Sequence, residues 1–222
     1  MCGRFTSFLS PELLEAVFGV KPLVMSSPRY NIAPTQQVSV VRDNENHGRE
    51  WAEMRWGLVP HWAKDLSIGN RLINARCETV AEKPSFRSAI RHRRCIVAAS
   101  GFYEWKVTSK GKFPHYVTMT DEAPVAFAGI WESWKDAEGV ALESCALLTT
   151  AANSLMETIH DRMPVILQQS DFEEWLDRSV TDTQKIQRIY QPYPAELMQE
   201  WPVSTFVNNP SQIGEECIHR VT

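Results

Sequence analysis

Apolar and polar positions follow two rhythms along this chain, and each rhythm predicts a different element. Between Ser10 and Gly19 the apolar residues Leu13, Leu14, Val17 and Phe18 recur at helical spacing, with Ser10 as N-cap, Pro11 at the first helical position and Gly19 as terminator. A Pro-punctuated loop runs from Lys21 to Pro34. Gln37 to Arg42 then alternates with period two and, with a polar tip from Asp43 to Gly48 and a return arm from Arg49 to Trp56, predicts a β-hairpin. Beyond the polar segment Pro60 to Asn70, strand-like runs cover Arg94 to Ala99, Phe102 to Val107, Phe113 to Met119, Ala126 to Trp131 and Ser144 to Thr150.

The rhythm then changes again. Asn153 or Ser154 can cap a short helix through Ile159, Met163 to Leu167 reads as a buried strand, and Ser170-Asp171-Phe172-Glu173 is a capping box opening a helix through Leu176. A further helix fits Thr181 to Gln191, stopped by Pro192, and Pro202 to Asn208 has the pattern of a final strand. No repeat or linker interrupts the order. The expectation is a single α+β domain over residues 1–222, with a many-stranded, mixed or antiparallel, partly closed β-sheet core and peripheral helices.

Composition changes this picture little. The chain has 222 residues, 43% hydrophobic and 23% charged, which excludes collagen-like, coiled-coil and disordered classes. No apolar run approaches the roughly 18 residues of a membrane helix and the start has no signal-peptide character, so a cytoplasmic protein without a membrane is expected. Five cysteines (Cys2, Cys77, Cys95, Cys145, Cys217) form no CxxC pair, and six isolated histidines (His47, His61, His92, His115, His160, His219) show no ligand spacing. Neither disulfides nor a metal is expected. Charge is split: residues 1–111 hold 16 Lys+Arg against 10 Asp+Glu, whereas residues 112–222 hold 7 against 17. The front half could present an anion-binding face, or the halves interleave and the asymmetry averages out. The cluster Arg91-His92-Arg93-Arg94 is open to the same two readings, a DNA patch or a solvated strand entrance.

Cys2 is the residue with the most chemistry. If Met1 is removed, the chain begins with a thiol and an α-amine on adjacent carbons, whose ordinary pKa values of about 8.5 and about 7.7–8.0 leave both reactive near neutral pH. Such a 1,2-aminothiol attacks acyl groups, or condenses with an aldehyde to an imine that the thiol closes into a thiazolidine. If Met1 stays, Cys2 fills a β-strand. Elsewhere, polar groups sit among apolar neighbours. Asn74 and Arg76 share a face if Leu72 to Arg76 is extended. Glu104, between Tyr103 and Trp105, suits a general acid or base if desolvated, and otherwise is the outward residue of a strand. His160, at a helix-to-strand junction, could shuttle protons or be a satisfied structural residue.

Several of these segments occur together in a known order. Met1-Cys2-Gly3-Arg4-Phe5, Arg29-Tyr30-Asn31-Ile32-Ala33-Pro34, Arg55-Trp56-Gly57-Leu58-Val59-Pro60, Ile73-Asn74-Ala75-Arg76, Gly101-Phe102-Tyr103-Glu104-Trp105 and His160-Asp161-Arg162-Met163-Pro164 resemble the SOS-response-associated peptidase (SRAP) family, from residue 2 to about Asn208. The resemblance implies a DNA-damage protein whose N-terminal cysteine forms a thiazolidine crosslink with abasic sites in single-stranded DNA. It implies low turnover, with peptidase or lyase activity as further properties, and no cofactor. It assigns Cys2 as nucleophile, Asn74 to positioning of the adduct, Glu104 to general acid/base work and His160 to ring opening and imine chemistry. Arg4, Arg76 and Arg162 match arginines near the strand, Pro34 and Trp62 match apolar residues against unstacked bases, and Thr149 matches a backbone-contacting position. Ala63 replaces an aromatic of some relatives and Pro84 a basic residue, both of which bear on DNA affinity.

Other classes compete with this one. A Met-Cys-Gly start also resembles class II glutamine amidotransferases, although the later motifs do not match, and a cysteine peptidase would need an oxyanion hole that a sequence does not show. A non-covalent single-strand binder, with Cys2 incidental, is the third reading. A monomer is expected in each case.

Overall fold

The computed structural model describes residues 2–22, 27–44 and 48–221. Met1, residues 23–26 in the Pro-punctuated loop and residues 45–47 at the hairpin tip, His47 among them, lie outside the described residues, so the expected removal of Met1 is not addressed by the fold.

Strands dominate. In chain order they are β1 (Arg4–Ser7), β2 (Arg29–Ile32), β3 (Gln37–Asn44), β4 (Gly48–Trp56), β5 (Asn74–Arg76), β6 (Arg94–Ala99), β7 (Gly101–Thr108), β8 (Gly111–Met119), β9 (Val125–Lys135), β10 (Ala141–Ala151), β11 (Arg162–Pro164) and β12 (Met198–Pro202). The helices are α1 (Pro11–Phe18), α2 (Ala89–His92) and α3 (Phe172–Leu176), and short 3-10 turns are spread among the strands.

Two sheets result. One runs β12-β8-β7-β1-β2. The other runs β11-β10-β4-β3-β6-β9, and because β9 also pairs with β10, the strands β10, β4, β3, β6 and β9 close into a ring. The partly closed sheet expected from sequence is therefore present. In both sheets the front-half strands are neighbours, β4-β3-β6 in the ring and β7-β1-β2 in the other, with rear-half β9, β10 and β8, β12 beside them, and β5 is the front-half strand that pairs with rear-half β10, so the strand order does not interleave the two halves of the sequence.

Alternation within the ring strands sorts the core. Val41, Ile96, Ala128 and Leu148 pack with Phe18, Phe172 and Trp175 of the helices, whereas Val40, Val97, Phe127 and Leu147 pack with Phe5, Phe102 and Val117 of the other sheet. Phe5 ties the two sheets together, its ring centroid 5.0 Å from Trp56 and 5.8 Å from Phe127. Edge and tilted aromatic contacts of this kind add to the burial that holds the layers.

The first helix forms as its caps require. Ser10 Oγ accepts from the Leu13 backbone N–H at 3.2 Å, and Gly19, at φ 72°, donates its N–H to Glu15 O. Phe18 is buried and Leu14 and Val17 half-buried, but Leu13 stays 37% exposed, off the apolar stripe. The hairpin β3–β4 pairs from Gln37↔Arg55 to Asn44↔Gly48, and the later strands lie where the alternation puts them.

Four expectations are corrected. The loop Lys21 to Pro34 contains β2, and the 181–191 segment is a set of turns ending in a 3-10 turn at Gln187–Tyr190. There Asp182 Oδ1 captures the Gln184 N–H at 3.0 Å, a local bond that competes with helix formation, while Ile186, Ile189 and Tyr190 still bury the face that gave the helical pattern. The final strand is Met198–Pro202, and Thr205–Asn208 curls into a 3-10 turn whose Phe206 N–H goes to Ser204 Oγ. The capping box at Ser170–Glu173 does not form: Asp171 binds Arg188 and Glu173 binds Arg49, so α3 starts through a 3-10 turn at Gln169–Asp171.

Arg94, read as part of a surface cluster, is 4% exposed. Its guanidinium donates to Ile90 O (2.9 Å) and Arg91 O (3.3 Å) near the end of α2, and to Trp175 O (2.5 Å), Asp177 O and Val180 O (2.9 Å) at the end of α3. One cation thus satisfies the orphan carbonyls of two helix ends. Arg94→Met is expected to destabilise the fold by about 3 kcal/mol or more, since several buried carbonyls lose their donor together. Arg94→Lys should recover part of this. Urea unfolding followed by tryptophan fluorescence checks both; equal stability of Arg94→Met and wild type would contradict the role.

Candidate active site

Strand β10 changes neighbours along its length. Antiparallel β9 covers Ala141 to Leu147, and on the opposite side β4 at Ser144 and Cys145 gives way to the short parallel β5 at Leu147↔Asn74 and Thr149↔Arg76. Beyond the end of β9, antiparallel β11 takes its place at Thr149↔Pro164 to Ala151↔Arg162. Asn74, Arg76, Thr149 and Arg162 are thereby gathered at one end of β10, although 88 positions separate Asn74 from Arg162 in the chain.

Backbone bonds set β5 in place. Ile73 O accepts from Trp56 Nε1 (3.0 Å) and from the Leu147 N–H (3.0 Å), and Cys77 N–H donates to Thr149 O (2.9 Å). Close approach of two glycines supports the preceding segment. A Cβ at Gly57, where φ is +125°, would lie 2.6 Å from Gly69 O, so only glycine permits this crossing. The turn Ala33–Gln36 stands beside it, with the Thr35 N–H on Trp56 O (2.8 Å) and the Trp56 N–H on Gln36 O (2.9 Å). Thr35 adopts φ 76°, a left-handed conformation that a β-branched residue takes only under strain of order 1–3 kcal/mol. The turn's bonds to Trp56 place Pro34, half-buried, beside the end of β4.

Cys2 precedes β1, which is sandwiched between β2 and β7 through Phe5↔Ile32 and Arg4↔Tyr103. Its side chain is fully buried, and Sγ lies 3.8 Å from Arg4 O. Asn74 Nδ2 donates to Cys2 O at 2.8 Å, while Asn74 Oδ1 is buried with no hydrogen bond. Glu104, on β7, is 3% exposed and its Oε1 accepts from the Trp105 N–H at 3.3 Å. Burial first, and the charge of Glu104 second, push the Cys2 thiol up to about 12. Cys2, Asn74 and Glu104 therefore form one interacting group, assembled by β1–β7 pairing on one side and β5–β10 pairing on the other.

His160 follows a 3-10 turn at Met156–Thr158 that Asn153 opens by accepting the Met156 N–H at 2.9 Å. This turn stands where a short helix was expected. His160 Nδ1 lies 3.0 Å from the Arg162 backbone N and 2.8 Å from Asp161 Oδ1. One nitrogen cannot serve a donor and an acceptor in the same tautomer. The fixed backbone N–H outweighs an aspartate that is 87% exposed, so Nδ1 accepts and Nε2 carries the proton.

The remaining expected residues divide by exposure. Arg76 is exposed, and Trp62, on the turn closed by Ala63 N–H to Pro60 O, is 51% exposed. That turn is pinned by Trp134 Nε1 to Ala63 O (2.7 Å). Arg162 reaches Thr149 O (2.7 Å) and Glu78, and Thr149 is fully buried, so it supports Arg162 from below. Arg4 Nη1 donates to Asn31 Oδ1 (2.6 Å) and Val207 O (2.8 Å), tying β1 to the chain's far end, and burial lowers its pKa. Asn31 Nδ2 reinforces this latch through Val207 O, Asn209 O and Gln212 O. Sequence reasoning missed Glu78 and Asn31. Glu78 sits two residues past Arg76, just beyond the Ile73–Arg76 motif, and Asn31 is a lone amide between Tyr30 and Ile32.

Among the described residues no group of three or more His, Cys, Asp or Glu is placed to hold a metal ion, and no helix is long and apolar enough to cross a membrane.

The chain is similar to several known proteins. The chain is 42% identical to the abasic site processing protein YoqW of Bacillus subtilis, with 98% of this chain and 99% of that one covered. It is 29% identical to the abasic site processing protein HMCES of Gallus gallus over 86% of this chain and 66% of the relative. A solved structure from Bacteroides thetaiotaomicron superposes with a TM-score of 0.89 at 27% identity, covering 100% of both chains. The family model described as SOS response associated peptidase (SRAP) matches residues 1–210, and the chain belongs to that family.

Proposed function

We propose that this protein processes abasic sites in single-stranded DNA by linking Cys2 to the ring-opened sugar. One observation supports this most: a buried cysteine next to the N-terminus has its carbonyl held by Asn74 Nδ2, while the other end of the same amide, Asn74 Oδ1, is a buried acceptor awaiting a donor. Buried acceptors are rarely left so, and an N–H or O–H of an adduct would complete it. The names of the relatives identify abasic sites as the substrate class.

While Met1 is attached, the Cys2 nitrogen is an amide without a nucleophilic lone pair. Once Met1 is removed, the free amine adds to the C1 aldehyde of the lesion to give a carbinolamine. Loss of one water yields an imine, and Cys2 Sγ then adds to the imine carbon as its proton passes to nitrogen. The thiazolidine that forms differs from protein plus aldehyde by that single water. The raised thiol pKa fits this order, because a neutral thiol leaves the first attack to the amine. Glu104 is the base and acid for these transfers, and His160, with its proton on Nε2, assists opening of the sugar. Arg76 and Arg162 hold phosphates, and Pro34 and Trp62 meet bases without reading sequence, while Arg4 and Thr149 hold these elements in place. Hydrolysis of the imine restores amine and aldehyde, whereas β-elimination from it, with loss of a C2 proton and rupture of the C3–O bond to the departing phosphate-bearing strand, would be a lyase reaction. An amidohydrolase or peptidase is less well supported, since acyl transfer begins with attack by the thiol itself.

Cys2→Ala is expected to abolish the denaturant-resistant conjugate with an abasic oligonucleotide and leave non-covalent binding within about twofold. Intact mass reads this directly: wild type should lack Met1 and gain the oligonucleotide minus one water, and a full-strength conjugate from Cys2→Ala would refute the nucleophile. Glu104→Gln should slow conjugate formation by roughly 10²-fold or more, in line with general acid–base catalysis. A quenched time course measures it, and an unchanged rate removes Glu104 from the mechanism.

A further inference from the structure

Arg162 is already engaged. Its Nη1 donates to Glu78 Oε1 at 2.5 Å and its Nη2 to Glu78 Oε2 at 2.9 Å, the parallel two-point contact that a guanidinium also makes with phosphate. The two partners are held differently. The Arg162 side chain is 13% exposed and is fastened to Thr149 O by the same Nη2, whereas Glu78 is 50% exposed on the turn that follows β5. The cation is the fixed half of the pair, and the carboxylate is the half that faces solvent.

Resting on the reading that Arg162 meets the DNA strand, we propose that Glu78 occupies in the free protein the two-point position of a backbone phosphate, and so sets DNA affinity by competing for Arg162. The hydrogen bond from Arg162 holds the Glu78 carboxyl below the ordinary carboxylate range, so the competitor stays charged at neutral pH. Displacing a half-exposed carboxylate is cheap enough for DNA to achieve, yet it takes something from every encounter. Undamaged strands are weakened along with damaged ones. Residence then depends on the covalent step, which only a lesion offers, and Glu78 acts as a specificity device working through Arg162.

The test is binding of a labelled, undamaged oligothymidylate across a salt series, with crosslinking to an abasic strand measured in parallel. Glu78→Gln is expected to bind about three- to fivefold tighter. The slope of log affinity against log salt should steepen by roughly 0.7, as for one more neutralised phosphate. Glu78→Asp, one methylene shorter and unable to span both nitrogens, should show a smaller gain. Both gains should vanish in an Arg162→Gln background, and Glu138→Gln, in the turn at the opposite end of β10, should change neither quantity. Unchanged or weaker binding by both Glu78 variants, a gain that persists without Arg162, or an equal gain from Glu138→Gln would each overturn the competition. Loss of Cys2-dependent crosslinking in wild type would instead strike the underlying functional reading.

Discussion

The candidate site depends on a change of partners along β10. At Ser144 and Cys145 this strand completes the closed ring between β9 and β4, and toward its C-terminal end both neighbours are exchanged for three-residue strands, β5 and β11. The ring supplies rigidity, and the two short strands supply side chains. Strands β4 and β5 follow one another along the same edge of β10, and between them the chain leaves that edge through the Gly57–Gly69 crossing and re-enters as β5. Trp62 is carried on this connection.

Three arginines of this protein are used inwardly. Arg94 serves carbonyls of two helix ends, Arg4 serves Asn31 and Val207, and Arg162 serves Thr149 and Glu78. For a chain of formal charge −4, attraction to a polyanion cannot come from bulk charge. Under the proposed function it comes from local arrangement, where each arginine that is not committed to the fold counts for more than its number suggests.

Much of the scaffold was legible in the sequence, and the reason is periodicity. The first helix had both caps and an apolar stripe, and the hairpin and the long strands had alternation over six or more residues. The failures share a different cause. Strands β2 and β5 are too short to show a period, and their existence is decided by partners elsewhere in the chain. At 181–191 a helical spacing of buried residues was real, but Asp182 diverted the backbone into turns. The candidate site was readable as residue types and not as a place: Cys2, Asn74 and Glu104 are distant in sequence and meet through pairing on two sheets. Glu78 escaped notice because a carboxylate beside an arginine in a polar turn looks like an ordinary solvated pair until its geometry is known.

The burial of Cys2 has a directional consequence. Cys2 is buried, and its carbonyl is held by Asn74. Any residue ahead of Cys2 acylates its nitrogen, so under the proposed linkage an upstream fusion is a dormant form that a protease cutting before the cysteine would awaken.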